Sequence, residues 1–187
     1  MGNNPSMGKE MTPERAIALL LKYATADEAI TIILAHSRRV AEIALRYARR
    51  IPGIDLNFIE CAALLHDIGR FQCPPGSLQS IQHGMIGAEI LRQEGMEERY
   101  ALICERHIGA GITVEDIQQQ RLDLPLRNFS PRTREEKIIA HADNIGKAER
   151  ELTVSEAVAR FTKELGPEYG QRIAQLAKEV EALVPHG

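Results

Sequence analysis

Tryptophan is absent from this chain and aromatic residues make up only 4% of it, while Ala, Ile, Leu, Glu and Arg recur at helical spacings. That composition argues against a ring-rich sheet core and for an all-α protein. Only three cysteines occur, Cys61, Cys73 and Cys104. An odd number without a CxxC pair speaks against a disulfide frame or zinc knuckle and reads as reduced thiols in a cytoplasmic protein. No apolar run approaches the roughly 18 residues of a membrane span, and the N-terminus lacks the basic-then-apolar layout of a signal peptide. The net charge of -3 supplies no clustered basic surface, so a nucleic-acid platform is not expected. A glycine-rich phosphate loop, a nucleophile elbow and a Ser/His/Asp or Cys/His pairing are also missing, which argues against a covalent intermediate. A soluble helical protein with small-molecule partners remains.

At 187 residues, 44% hydrophobic and 26% charged, the chain suits one well-packed domain. Met1 to Ser6 matches a myristoylation pattern in form, but residues 1–11, rich in Gly, Asn, Pro and Ser, are expected to be a disordered leader. One domain then spans 12–185.

Thr12-Pro13-Glu14 announces the first helix, with Thr as N-cap and Pro at the first helical position. A longer helix is expected over 27–50. There Ile32, Ile33, Val40, Ile43, Ala44 and Tyr47 share a stripe, His36 lies inside it, and Arg38, Arg46 and Arg49 point away. A lone core histidine bonded to a carbonyl would account for His36 without any metal. After Ile51-Pro52-Gly53, a third helix starts at Asp55. Its apolar stripe Ile59, Ala62, Ala63 runs into His66 and Asp67, and Gly69 ends it before Arg70. An imidazole and a carboxylate at the buried end of a helix are costly unless a charged group satisfies them.

A loop with Pro74-Pro75-Gly76 leads to His83-Gly84, which opens a helix with His83, Ile86, Gly87, Ile90 and Glu94 on one face. Residues 97–106 form a short helix ending at His107 and the break Gly109-Ala110-Gly111. The helix dipole alone favours a histidine there. Residues 113–131, irregular and Pro-flanked after a brief helical turn, read as a lid or partner-facing loop. Thr133 to Glu136 is a capping-box pattern opening a helix that carries Asp143 on its apolar stripe with Ile139, Ala142 and Gly146, while His141 falls on the other side, as surface. Thr153 to Glu156 repeats the box. The two helices that follow, near 154–165 and 167–183, are assigned to packing or association.

Four of the six histidines thus take core-facing or helix-end positions, together with Asp67 and Asp143, and convergence would satisfy all six polar groups at once. The order His36, His66-Asp67-Ile68-Gly69, His83, His107, Asp143 resembles the HD superfamily of metal-dependent phosphohydrolases, in the variant with two additional histidines before the final Asp. The resemblance spans His36 to Lys147. Residues 107–112 and the stretch from Leu124-Pro125 to Ala142-Asp143 are similar to a prokaryotic HDIG subgroup, a likeness that names no substrate.

The resemblance implies a single-domain HD-type orthogonal helical bundle, with a metal-site core over about 30–147 and C-terminal helices over about 153–183. It implies one ion held by His36, His66, Asp67 and Asp143, and Asp67 bridging to a second held by His83 and His107. Two divalent ions against two carboxylates leave the site about two charges positive, suited to a phosphate, and a metal-activated hydroxide would attack phosphorus. Imidazole-rich ligation favours Mn, Fe, Co, Ni or Zn over Mg; iron or manganese is expected first, with Ni, Co, Zn or Mg as alternatives. Arg70 and Lys147, and less so Arg106, adjoin ligand positions and are candidates to hold phosphate oxygens; Asn144 could orient a water or substrate hydroxyl.

The implied activity is that of a phosphomonoesterase or phosphodiesterase on a nucleotide or small phosphorylated metabolite, with a dinucleoside polyphosphate among the candidates. No GYP-bearing extension and no fused synthetase region is present. The same ligand set would also serve a di-iron oxygenase of HD fold, and a non-catalytic HD-like signalling or binding module is the third reading. A homodimer is left open.

Overall fold

The structure, a computed structural model, describes residues 10–24, 27–77 and 79–185. The Met1 to Ser6 pattern, and all but the end of the expected leader, lie outside the described residues. Among the described residues nine α-helices follow in chain order: α1 Pro13–Tyr23, α2 Asp27–Ala48, α3 Leu56–Leu65, α4 His83–Gln93, α5 Glu98–Arg106, α6 Val114–Gln120, α7 Arg134–Ile145, α8 Val154–Leu165 and α9 Pro167–Ala182. Two 3-10 turns, Ile68–Phe71 and Ser80–Gln82, lie between α3 and α4. Among the described residues there is no strand, and no helix is long and apolar enough to cross a membrane. The all-α expectation holds.

Local sequence places the helix starts. The Thr12 hydroxyl accepts the Arg15 N–H ahead of α1, and the Asp55 carboxylate accepts the Phe58 N–H at 2.9 Å ahead of α3, each satisfying a donor that a first turn leaves free. Thr153 and Glu156 close a full capping box on α8. Thr133 makes only half of one. Its hydroxyl accepts the Glu136 N–H, but the Glu136 carboxylate turns away to the Arg132 N–H and to Arg106.

The core draws on α1 through α5 and α7 through α9, from Ala16 to Val184. Helix α3 is its axis: every residue from Phe58 to Leu65 except Glu60 is buried, between α2 on one side and α1 and α5 on others. Ile32, expected on the core stripe of α2, is instead 58% exposed, whereas Ile33, Val40, Ile43 and Ala44 are buried. Helix α7 packs against α2, α5 and α9, so most of its second half is buried, Asp143 excepted. His141, read from the sequence as surface, is therefore only 2% exposed. Its Nε2 lies 3.2 Å from the Tyr47 hydroxyl, and burial pushes its imidazole down to about 4. A one-sided stripe predicts a surface face only for a helix with one buried face.

Helix α3 also stops earlier than expected. It ends at Leu65, and Gly69 sits in the following 3-10 turn, pressed on α4. A Cβ there would overlap the His83 carbonyl oxygen and lie 2.7 Å from the Gly87 nitrogen. Glycine is required by close approach. Gly69→Ala is expected to cost about 3 kcal/mol, the upper range for overpacking, read as a lower urea midpoint; an unchanged midpoint would mean the turn and α4 can part freely.

Residues 113–131 fold down instead of standing off. Asp116 caps α6 and is only 6% exposed, with the Arg172 guanidinium of α9 at 2.8 and 3.0 Å and the Tyr169 hydroxyl donating at 2.8 Å. Burial pushes the Asp116 carboxyl up, but the Thr113 N–H, Arg172 and Tyr169 outweigh it and hold it below its ordinary value. A depressed carboxyl stabilises the fold above its unfolded pKa of about 4 and loses that contribution as pH falls through the folded value. Asp116→Asn is expected to lower stability by about 2 kcal/mol near pH 7, the deficit shrinking below about pH 4 in parallel denaturation series.

Candidate metal centre

Three histidines sit at helix ends and use the same local device. His66 follows the last residue of α3, His107 follows α5, and His83 lies where the turn Ser80–Gln82 passes into α4. In each, Nδ1 lies 2.7 to 2.8 Å from the carbonyl three residues earlier: Ala63, Cys104 and Ser80. Last-turn carbonyls lack a helical partner, so a histidine just past the end donates its Nδ1–H back to one of them. A neutral ring held this way presents an unprotonated Nε2 to the centre.

All six expected ligands converge. Asp67 Oδ1 faces His83 Nε2 at 3.2 Å and His107 Nε2 at 3.4 Å; Oδ2 faces His36 and His66 Nε2, both at 3.7 Å. Asp143 Oδ1 lies 3.0 Å from His36 Nε2 and 3.7 Å from His66 Nε2. The rings pack edge to face, with centroids 4.8 Å apart for His66 and His107 and 5.0 Å for His83 and His107. His66, His83, His107 and Asp67 are buried, while the side chains of His36 and Asp143 are about one-fifth exposed and open the cluster to solvent. Among the described residues, His36/His66/Asp67, His66/His107/Asp143 and Asp67/His83/His107 each bring their ligand atoms within 4.8 Å of one another.

The protein alone leaves this polar cluster unbalanced. His83 and His107 Nε2 stand 3.0 Å apart with a lone pair on each, and buried His66 Nε2 and Asp67 Oδ1 have no hydrogen-bond partner. Burial pushes the Asp67 carboxyl up, but His66, His107 and His83 hold it well below the usual carboxylate range. His36 and His66 do the same for Asp143. Burial pushes His66 down, and the Asp67 and then Asp143 carboxylates draw it up to about 9. A strongly negative pocket of inward-facing lone pairs fits cations, as buried polar groups require.

A cleft of about 320 Å³ opens above the cluster. Arg70 lines one wall, its Nη1 donating to the Ser80 hydroxyl at 2.8 Å and its Nε 3.4 Å from Asp67. Lys147 lines the other, its ammonium lowered by burial and by Arg160 nearby. Arg106 is not there. It bonds both Glu136 oxygens at 2.9 and 3.1 Å and is a structural pair. Asn144 is buried with its amide donating to the Gly109 carbonyl at 2.9 Å, so it braces the turn after His107, where Gly109 takes φ 59°.

None of residues 113–131 lines the cleft, so they are not a lid on it. They border a separate apolar cavity of about 120 Å³ against α8 and α9. The α8 residues Arg160, Phe161 and Glu164 do line the cleft. The sequence reading, which gave that helix a packing role, missed them. The one available signal is an Arg-Phe pair facing the same way as Glu164 on an amphipathic helix, too common a pattern to single out.

Comparison with known proteins follows from this geometry. The HD domain family model matches residues 33–148. The chain is 38% identical over 173 residues to an uncharacterized protein of Methanocaldococcus jannaschii, covering 91% of this chain and 98% of that protein. It is 39% identical over 166 residues to a tRNA (cytidine(56)-2'-O)-methyltransferase of Thermoplasma volcanium, covering 89% of this chain but 46% of that protein, so it spans about half the length of that relative. Among solved structures, the L. monocytogenes phosphodiesterase PgpH HD domain in complex with cyclic-di-AMP superposes with a TM-score of 0.52 over 92% of this chain and 98% of that one, at 17% identity. At that identity the likeness establishes the fold.

The tautomers are directly measurable. Nitrogen-detected imidazole spectra are expected to show His83 and His107 as Nδ1–H tautomers; Nε2–H signals would contradict the carbonyl-anchored arrangement.

Proposed function

The chain belongs to the HD-domain superfamily of metal-dependent phosphohydrolases, and from that premise we propose that it hydrolyses a phosphoester of a nucleotide or similar small phosphorylated metabolite, dinucleoside polyphosphates among the candidates. The observation that carries the reading is the placement of Asp67, whose two oxygens face two different sets of imidazoles. In this proposal His36, His66, Asp67 and Asp143 hold one divalent ion and Asp67, His83 and His107 hold another. Iron or manganese comes first, with Ni, Co, Zn or Mg as alternatives. The orphaned Nε2 and Oδ1 atoms and the facing lone pairs support that fit.

Such ions, when bound, lower the pKa of water and balance charge developing on phosphorus. The chain's own residues do the rest. The Nδ1–H bonds of His66, His83 and His107 hold their rings in orientation. Arg70 is steadied by Ser80 and Asp67 while its Nη2 makes no hydrogen bond among the described residues, leaving it to take a non-bridging phosphate oxygen; Lys147 faces the same space from the opposite wall.

Two cations above a cluster that also binds cations favour an anionic substrate, which supports the hydrolase over a di-iron oxygenase built on the same ligands. All six ligand positions being filled argues against a non-catalytic module. The cyclic-di-AMP bound by the PgpH HD domain supports a nucleotide. Methyl transfer, named for the longer Thermoplasma relative, is not proposed for this chain. Residues 12–185 are taken as one HD domain of a cytoplasmic protein, in keeping with a core running from Ala16 to Val184 and three buried free thiols.

The test combines elemental analysis with a hydrolysis screen over nucleotides, cyclic dinucleotides and dinucleoside polyphosphates in Mn, Fe, Co, Ni and Mg. The purified protein is expected to hold transition metal and cleave a phosphoester, and Asp67→Ala to lose most of the metal and about 1,000-fold in kcat/KM. Full metal content and activity in that variant would sink the site assignment.

A further inference from the structure

We infer that Arg160 and Lys147 form a second anion subsite at the α8 end of the cleft, so that the substrate carries two phosphoryl groups, one over the His/Asp cluster and one between these two cations. The inference rests on the phosphohydrolase reading and adds the number of charged groups recognised.

Placement comes first. Lys147 lies one helical turn beyond Asp143, in the tight turn after α7 that is closed by the Lys147 N–H to the Arg150 carbonyl and the Leu152 N–H to the Ile145 carbonyl. That turn folds the chain back into α8, which brings Arg160 to the same cleft as the cluster. The two cations thus line the same cleft as His36, Asp67, Asp143 and Arg70.

Their bonding state is the second observation. Arg92, Arg99, Arg106 and Arg172 are each committed to a carboxylate. Arg160 is not. Its one hydrogen bond among the described residues runs from Nη2 to the Asn144 carbonyl at 3.3 Å, and its Nε is buried without a partner. The Lys147 ammonium has no hydrogen bond or ion pair among the described residues, although it is partly buried. Buried donors without acceptors are rare in folded proteins, and two neighbouring cations that make no direct ion pair among the described residues are matched by an anion with several acceptor oxygens.

Arg160 is also held in place before any ligand arrives. Its guanidinium lies 4.5 Å from the Phe161 ring centroid, and the Asn144 that accepts from it is itself tied to Gly109. Among the described residues that line the cleft, Glu164, one turn further along α8, is the one carboxylate outside the cluster, against the three cations Arg70, Lys147 and Arg160. A single phosphate over the cluster can be met by Arg70, which leaves the Lys147 and Arg160 end for a second group joined to the first.

The probe is inorganic pyrophosphate against inorganic orthophosphate, with both affinities measured by titration calorimetry on the metal-loaded protein. Wild type is expected to bind pyrophosphate at least tenfold more tightly. Arg160→Met and Lys147→Met should each cut that preference about tenfold, equivalent to about 1.4 kcal/mol, with metal content and melting temperature retained. Arg38→Met, at an exposed α2 position, removes the same net charge and should keep the wild-type ratio. A preference that survives Arg160→Met, or its absence from wild type, overturns the subsite. A protein without metal or hydrolytic activity whose pyrophosphate preference still depends on Arg160 would overturn the hydrolase reading and uphold the subsite.

Discussion

The structure turns on one carboxylate. Asp67 sits in the step between α3 and the 3-10 turn, with Oδ1 toward His83 and His107 and Oδ2 toward His36 and His66. Those four histidines come from α2, the end of α3, the start of α4 and the end of α5, so one side chain sets the relative positions of four segments. The close approach of Gly69 to the His83 backbone brings the Asp67 turn within reach of α4, and the packing of α4 on α5 brings His107 with it.

Burying so many polar atoms in an α-helical core is expensive, and the chain meets the cost locally. Each helix-end imidazole returns a proton to a carbonyl of its own last turn, which removes two unsatisfied groups at once. The cost that remains is electrostatic and lies at the centre, where imidazole nitrogens and two carboxylates converge.

Helix α8 changes how the cleft is understood. The clustered His and Asp residues all lie between His36 and Asp143, but the cleft is also lined by residues after α7, where the turn through Gly146 and Lys147 leads the chain into α8. Asn144 links the two levels, bonding Gly109 beside His107 with its amide and Arg160 with its carbonyl. By contrast, residues 113–131 spend their polar groups on α5 and α9, through Arg127 to Glu105 and Asp116 to Arg172, and stay away from the cleft.

Much of this was legible in the chain itself. Helix starts follow from caps at Thr12, Asp55, Thr133 and Thr153, because capping is a contact within four residues. The order of His36, His66-Asp67, His83, His107 and Asp143 carried the family, because the chemistry needs those residue types and leaves little freedom in their sequence. What failed were inferences about faces and partners. His141 is buried since α7 is packed against α2, α5 and α9, Ile32 is exposed where it lines the open cleft, and Arg106 is bound to Glu136 across 30 residues. Arg160 could not be found from its neighbours in sequence. Local chemistry determined the helices and the ligand set; which side of a helix is covered, and which cation is left without a carboxylate, depended on contacts between segments far apart in the chain, and only the packed structure decided them.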